Sequence, residues 1–481
     1  MKGTVEIPEG RWESIYSRYK VSLNWLESLI NDPQGERYLV PKSSKEMREG
    51  QIASFERTHR FLAFLDNPQN NYHIIHVAGT GGKGSTTTMI DALLRAAGQK
   101  TGSHTSPYVQ VPNEKLVING QIISPSNFSE LVDNFRQRYE YYIQQDPKGR
   151  PLYGETWTAL AYFYFSRQGV SWAAIETGMG GRFDPTNVNT SDIAVITNID
   201  FDHVPQLGTT LGDIAWHKAG IIKPGRPVIT GETKPEPLSV IKLEAIEKNS
   251  PILILGQDYS AKNIRKSDDG IILDVHTPFG DMHNLYVSLE GSFQGLNAVT
   301  ALTATLYAAD RHGFSLTEEQ IRNAMATLSM KGRMERMQAE PLIIIDGAHN
   351  PQKMRAAAAT LKQDYTGLKK TLIIGMLQTK DAADSLKQIV PFVDAVIVTE
   401  PNVVGKPSFT VEQMQEFVTS IRPDIRVEGE KDVQKAIADA MNNARKDEMI
   451  FITGSIYMLG HARSFWEKKE DLLNKIEYQQ V

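Results

Sequence analysis

The run His76-Val77-Ala78-Gly79-Thr80-Gly81-Gly82-Lys83-Gly84-Ser85-Thr86 places four glycines around one lysine, with two hydroxyls after it. Glycines let backbone N–H groups turn toward an anion at close range, and a helix that follows aims its positive end at the same anion. An apolar stretch (72–77) precedes the run and a helical pattern (87–97) follows it. The layout is strand, phosphate-cradling loop, helix. The spacing differs from the common G-x-x-x-x-G-K-[ST], with Val77 in place of the first glycine and Gly84 in place of the hydroxyl after the lysine. A plain turn needs one or two glycines rather than four beside a lysine, so nucleotide phosphate is the expected ligand of Gly79, Thr80, Gly82, Lys83, Gly84, Ser85 and Thr86.

Four further clusters carry chemistry. Ser106, in Thr105-Ser106-Pro107, reads alone as a turn residue, but its hydroxyl can complete a magnesium shell. Glu176 follows the apolar run 173–175 and opens Glu176-Thr177-Gly178-Met179-Gly180-Gly181-Arg182. A carboxylate at a buried strand end is costly unless paired or metal-bound. Arg182 could then clamp phosphate; a structural pair at a turn is the alternative, and strand-end position with glycine density puts the phosphate reading first. His203 ends Asn198-Ile199-Asp200-Phe201-Asp202-His203. A lone histidine is more often a hydrogen-bonded surface group, because magnesium prefers oxygen. Lys218, by composition, is a helix-end lysine before Gly220 and Pro224. In the last third, Arg333 could reach phosphates across a cleft, and Asp346, after the run 342–345, could hold ribose hydroxyls. Asp346-Gly347 as a turn and Asn350-Pro351 as a helix start explain the same residues, and both accounts can hold together.

These side chains need a scaffold. Residues 11–70 read mostly as helix, then strands at 74–77, 173–175 and 193–199 alternate with helices such as 152–168. That alternation implies a parallel sheet with ligands at the carboxyl ends of its strands. Residues 251–291 change character, and the segments 270–275 and 285–289 with the turn Asp268-Asp269-Gly270 suggest a small antiparallel excursion. Helices resume at 297–311 and at Thr317, where Thr317 and Gln320 form a capping box. From about Gly332 the pattern restarts, with strands at 342–345, 371–374, 395–398 and 449–452 and helices at 352–362, 382–389, 411–420 and 433–444. The expected domains are 1–330 and 331–481, since 481 residues exceed one ordinary core.

Composition narrows the class. The chain is 41% hydrophobic and 23% charged, with a net charge of -5, which argues against general nucleic-acid binding. It has no cysteine, which excludes disulfides, thiolate nucleophiles and zinc–thiolate sites. Residues 1–10 lack the basic start and apolar core of a secretory leader, and no apolar run approaches the ~20 residues of a membrane span. A cytoplasmic, monomeric protein without membrane or nucleic-acid partners is expected.

The ordered set of motifs resembles the Mur ligase superfamily and, within it, the folylpolyglutamate synthase/dihydrofolate synthase family. The stretches that carry this are 76–85, 105–107, Asn113-Glu114-Lys115 with Asn119-Gly120, 176–187, 197–203, 218–224, 346–351 and Thr453-Gly454-Ser455-Ile456-Tyr457. The resemblance spans about 12–465. It implies an α/β fold, with a P-loop-type parallel-sheet ATPase domain followed by a smaller Rossmann-like domain. It implies an ATP-dependent ligase that adds L-glutamate to a folate, and to dihydropteroate, through an acyl phosphate. By the same resemblance Lys83 holds the β- and γ-phosphates, and Ser106 and Glu176 hold one Mg2+. His203 holds a second Mg2+, and Lys218 is the lysine carried as a carbamate. Asn297, Arg333, Asp346 and His349 contact ATP. The chain departs from the family at Gly81 (commonly Asn), Tyr108 (His), Pro112 and Gly154 (Phe), and His217 (Glu), several of them on the expected pterin side. Alternatives are a Mur-type ligase for another carboxylate and amino acid, and an inactive nucleotide-binding regulator.

Overall fold

The structure, a computed structural model, describes residues 9–33 and 43–480. Residues 1–8 of the leader reading and 34–42 of the helical reading lie outside the described residues.

The first sheet comprises β1 (His73–Ala78), β2 (Thr101–His104), β3 (Val117–Ile118), β4 (Gln121–Ile122), β5 (Trp172–Glu176), β6 (Ile193–Ile196), β7 (Val228–Thr230) and β8 (Ile252–Ile254). Their order is β4-β3-β2-β5-β1-β6-β7-β8; the pairs β2–β3 and β3–β4 are antiparallel and the rest parallel. Strands buried on both faces read as unbroken apolar runs, which explains why 74–77 and 173–175 were legible. On β1, Ile74 packs into one core while Ile75 and Val77 pack into the other; on β5, Ala173 and Ile175 oppose Trp172 and Ala174. Helices Glu9–Glu27 and Ser44–Phe64 account for the early helical reading.

The excursion is a separate three-stranded antiparallel sheet of β9 (Ser260–Ser267), β10 (Gly270–Thr277) and β11 (Gly280–Val287). It buries Ile271, Leu273 and Val287 with Ala298 and Leu302 of the helix Phe293–His312. That helix begins four residues before the expected 297.

The second sheet holds β12 (Glu335–Gln338), β13 (Leu342–Ile345), β14 (Lys370–Ile374), β15 (Ala395–Val398), β16 (Arg426–Gly429) and β17 (Met449–Thr453), in the order β12-β13-β17-β14-β15-β16. Only β12 is antiparallel. Ile344, Leu372, Ile374, Val396 and Phe451 face one helical layer; Ile343, Ile345, Ile373, Ile397 and Ile452 face the other. This is the doubly wound pattern. The last helix, Lys469–Tyr478, follows the second sheet in sequence but buries Leu472, Leu473 and Ile476 in the core under the first. Glu477 fixes it there, accepting from Ser126 N–H at 2.8 Å and Ser126 Oγ at 2.6 Å. No described helix is long and apolar enough to cross a membrane.

Candidate active site

β1 ends at Ala78, and the chain turns through 79–82 into the helix Lys83–Ala96. Gly79 has φ +151° and Gly82 φ +78°. A Cβ at Gly79 would overlap Thr197 Oγ1 and one at Gly82 would overlap Asn297 Oδ1, so both backbone and space demand glycine. The loop is held from behind. Lys218 Nζ donates to the Gly79 carbonyl at 2.7 Å and Thr197 Oγ1 to the Gly81 carbonyl at 2.6 Å. Gly81 N–H donates to Asn198 Oδ1 at 2.8 Å, and Thr80 Oγ1 to the Asp200 carbonyl at 3.0 Å. No side chain caps the helix, so its first-turn N–H groups are left for an anion. Ser85 and Thr86 are buried in that first turn, and the Thr86 hydroxyl has no partner.

β5 delivers Glu176, buried, to the carboxyl edge of the sheet. Its Oε2 accepts from the Ser106 N–H at 3.0 Å, and its Oε1 lies 3.9 Å from Lys83 Nζ, beyond hydrogen-bond range. Burial raises the Glu176 carboxyl, opposed by Lys83, the Ser106 N–H, Arg333 and Lys353. Gly84 lies against this group, because a Cβ there would sit 3.4 Å from Glu176 Oε2 and 3.9 Å from Arg333 Nη2. The extra glycine after the lysine is therefore where a carboxylate and an arginine from the other sheet close on the loop. A carboxylate meeting one N–H at 3.0 Å and one distant ammonium keeps acceptor capacity for a hard cation, so Glu176 with Ser106 fits magnesium.

Behind the loop, buried Lys218 has its ammonium pushed down to about 7 by burial and then by Lys83. His203 adopts φ +52° and starts the short helix Val204–Leu207. Burial keeps its ring neutral, helped by Lys380, Lys218 and Lys83 and opposed by Asp202. A neutral imidazole is the form that can bind metal. Burial alone would raise Asp202, yet His203, Lys380, Lys353 and His349 hold it far below the carboxylate range. Lys380, from the second sheet, bridges to Asp202 Oδ1 at 2.8 Å. His217, beside Lys218, stacks edge-on against Trp216 with 5.0 Å between ring centroids. It is neutral as well, lowered to about 4 by burial, Arg48 and Arg182.

The second half supplies the rest. Asp346 follows β13 and accepts the Met334 and Ala348 N–H groups at 2.9 and 2.8 Å. The turn that the sequence offered as an alternative is thus real, and so is the helix start, where Asn350 accepts Lys353 N–H at 3.0 Å before Pro351. His349 Nδ1 donates to the Gly347 carbonyl at 2.7 Å, which leaves Nε2 as acceptor for Lys353 Nζ at 3.0 Å. Lys353 is lowered to about 7 by burial, and Lys83 and Arg333 push the same way. Asn297 donates to Gln294 Oε1 at 2.9 Å and lays its carboxamide on Gly82. A Cβ at Gly81 would meet Gln352 Oε1 at 3.3 Å and Asn198 Nδ2 at 3.5 Å. Two carboxamides therefore occupy the space into which an asparagine at 81 would project.

Two residues beyond Ser106, Tyr108 opens a cluster of aromatic rings around a buried lysine. Lys115 is buried, its ammonium 4.7 Å from the Trp157 ring, 5.5 Å from Tyr153 and 5.9 Å from Tyr108. Burial lowers it to about 7, with Lys406 of the second half adding repulsion. Among the described residues it has no carboxylate partner. Three of the positions that the sequence reading set apart from the family pattern, Tyr108, Pro112 and Gly154, gather here. Tyr108 and Tyr153 bracket Lys115, Gly154 follows Tyr153 with nothing within 4 Å of a Cβ, and Pro112 opens the turn Pro112–Lys115.

All the singled-out site residues converge on the loop except Arg182. Its guanidinium pairs with Glu244 at 2.5 Å and donates to the Trp216 carbonyl at 3.1 Å, so it is structural. Sequence reasoning missed Asn198, Gln352, Lys353 and Lys380. Lys353 sits four residues past His349, one helical turn on, which was the one available signal.

Known proteins point the same way. Residues 77–305 match the Mur ligase middle domain and 332–456 the Mur ligase glutamate ligase domain. The dihydrofolate synthase/folylpolyglutamate synthase of Bacillus subtilis is 31% identical over 85% of this chain and 93% of its own. The folylpolyglutamate synthase of Lacticaseibacillus casei is 34% identical over 86% and 95%. Among solved structures, Mycobacterium tuberculosis folylpolyglutamate synthase complexed with ADP and AMPPCP superposes with a TM-score of 0.82 at 30% identity, covering 93% of this chain and 99% of that one. With both halves matched and the loop, Glu176 and Arg333 in one place, the chain belongs to the folylpolyglutamate synthase/dihydrofolate synthase family of the Mur ligases.

Proposed function

We propose that the chain joins the amine of L-glutamate to a carboxylate of a folate, converting ATP to ADP and phosphate, with dihydropteroate as a second acceptor. It is an ATP-dependent ligase that forms carbon–nitrogen bonds. A carboxylate is a poor electrophile. Its oxygen attacks the γ-phosphorus and ADP leaves. The glutamate nitrogen then attacks the acyl carbon of the acyl phosphate, loses a proton and expels phosphate. Such chemistry asks the protein for positioning and charge neutralisation.

In this reading the 79–86 loop cradles the phosphates, with Lys83 at the β- and γ-phosphates. Arg333, Asp346, His349 and Asn297 close on the nucleotide from the other side. Ser106 and Glu176 hold one Mg2+, and His203 and Lys218 serve a second. Bound magnesium supplies the charge that offsets the transferring phosphoryl group. The folate side is the cluster of Lys115, Tyr108, Tyr153 and Trp157, where a buried amine that an anion would protonate, set among aromatic rings, suits a flat, anionic acceptor. The division at 330/331 and a monomeric, cytoplasmic protein belong to the same reading.

The observation that carries it is the meeting of Lys83, Glu176 and Arg333 around Gly84. Phosphate release should require ATP, Mg2+, a folate and L-glutamate together, with the amide seen by mass spectrometry. Release indifferent to glutamate would sink the reading. Running dihydropteroate in parallel decides the second acceptor.

Carbamylation of Lys218 has a chemical basis, since an amine near 7 is largely neutral at physiological pH and free to attack CO2. The carbamate nitrogen keeps one N–H for the Gly79 carbonyl while its oxygens become metal ligands. In 13C-bicarbonate, the protein is expected to show a carbamate resonance that Lys218→Ala lacks. A resonance unchanged in that variant would exclude the site.

A further inference from the structure

We propose that His73, Asp192 and His312 form a transition-metal site, with Zn2+ as its fitting occupant, at the end of the first sheet remote from the phosphate loop. One ligand atom from each of the three lies within 4.8 Å of the other two. His73 Nδ1 is 3.2 Å from Asp192 Oδ2 and His312 Nε2 is 3.8 Å from Asp192 Oδ1. Tetrahedral zinc with bonds of about 2.0–2.2 Å separates its ligands by roughly 3.3 Å, so closing the widest gap takes at most about 1.5 Å, which the half-exposed His73 can supply. Two imidazoles and one carboxylate favour zinc over magnesium or calcium, which prefer all-oxygen shells. Water would take the remaining position.

The three residues come from rigid places. His73 opens β1, Asp192 immediately precedes β6, and His312 ends the helix Phe293–His312. Trp172, at the start of β5, packs against both rings, with centroids 4.8 Å from His73 and 4.9 Å from His312. Asp192 is fixed by the Ile74 N–H, which donates to Oδ2 at 3.0 Å, and by its own N–H to the Ile74 carbonyl at 2.8 Å. A fixed carboxylate and ring-packed histidines are the outer support that metal ligands require. Read only as an ion-pair cluster, the group makes little sense. Arg226 Nη1 already serves Asp192 Oδ1 at 3.4 Å, so the carboxylate has a charge partner without either ring.

The position has a mechanical consequence. The helix that ends at His312 carries Asn297 against Gly82 near its other end. A metal at His312 pins that helix to the sheet about 20 Å from the phosphate loop.

The test uses the full chain, stripped with chelator and titrated with Zn2+ by calorimetry and thermal unfolding. One equivalent should bind with low-micromolar or tighter affinity and raise Tm by a few degrees. The double variant His73→Ala/His312→Ala should lose that equivalent and the Tm shift while keeping a cooperative unfolding transition and Mg2+-dependent ligation. His312→Ala alone should weaken binding at least tenfold. No stoichiometric binding to the wild-type chain, or an equivalent that survives in the double variant, overturns the proposal. So does an equivalent lost in His203→Ala instead, which would place the zinc at the phosphate loop.

Discussion

Glu176→Gln is expected to lower kcat for amide formation on the order of 10²–10³-fold while leaving the fold intact. The substitution keeps shape and removes charge. A glutamine carbonyl can still accept the Ser106 N–H that Glu176 Oε2 takes at 3.0 Å, so the turn after β2 loses no bond. Stability should not fall. The folded-state Glu176 carboxyl is raised above its free value by burial, so its ionisation works against folding as pH rises through the ordinary carboxylate range. Glutamine removes that cost, and Tm at neutral pH should be equal to or above wild type. What disappears is the carboxylate charge beside Lys83, which the proposed function gives to Mg2+. The loss should therefore appear as reduced kcat and a weaker response to Mg2+. A variant with full activity at wild-type Mg2+ would remove Glu176 from the metal site. An unfolded variant would show in the Tm, and Glu176→Asp, which keeps the charge, should then retain a measurable Mg2+ response.

The parts of this molecule legible in the sequence share one property. Strands buried on both faces must be apolar throughout, and they appeared at 74–77, 173–175, 342–345, 395–398 and 449–452 close to their true limits. β2 was invisible because Thr101-Gly102-Ser103-His104 is buried without being apolar. Its Thr101 hydroxyl is satisfied by Asp91 at 2.6 Å and its His104 ring by the Lys115 carbonyl at 2.9 Å. β9 was missed because it is an exposed edge strand carrying Lys262, Arg265 and Lys266. The return of the helix Lys469–Tyr478 to the first core rests on contacts more than 340 residues distant, such as Glu477 to Ser126 at a separation of 351, which no local pattern encodes.

The site was legible where chemistry forces residue type. Gly79 and Gly82 follow from backbone and space, and Glu176 from the cost of a carboxylate at a buried strand end. Other positions needed tertiary facts. His203 by itself was an ordinary histidine; its surroundings of Asp202, Lys380, Lys218 and Lys83 set it apart. Gly81 looked like a defect in the loop until Gln352 and Asn198 were seen to fill the space beside it. Lys353 and Lys380 had no motif because their role depends on the approach of the second sheet. Together with Lys83, Lys218 and Arg333 they set five basic side chains against Glu176 and Asp202. Mutual repulsion joins burial in holding Lys218 and Lys353 near 7. Under the proposed function a polyphosphate with magnesium would relieve it, and nucleotide binding would then favour the approach of the two halves.

Arg333→Ala is the expected readout of that coupling, with kcat reduced on the order of 10²–10³-fold and a smaller rise in KM for ATP. Arg333 lies in the turn between Gly332, at φ +63°, and Met334, at φ +46°, and donates from Nη1 to the Gly332 carbonyl at 3.1 Å. That anchor holds the guanidinium so that Nη2 is 3.9 Å from where a Cβ on Gly84 would stand. Its charge acts on Glu176, Asp346 and Lys353, so it links the loop, the aspartate that follows β13 and the first lysine of the helix Pro351–Asp364. A positioned arginine stabilises charge as it spreads over the transferring phosphoryl oxygens, which is why the loss should fall mainly on kcat. Arg333→Lys should recover only part of it, because an ammonium keeps the charge but not the planar fork. Arg333 repels Lys353 but also offsets the burial of Glu176 and Asp346, so Tm should stay close to wild type. Equal kcat in wild type and Arg333→Ala, with unfolding unchanged, would mean that the second half binds nucleotide without entering the phosphoryl transfer.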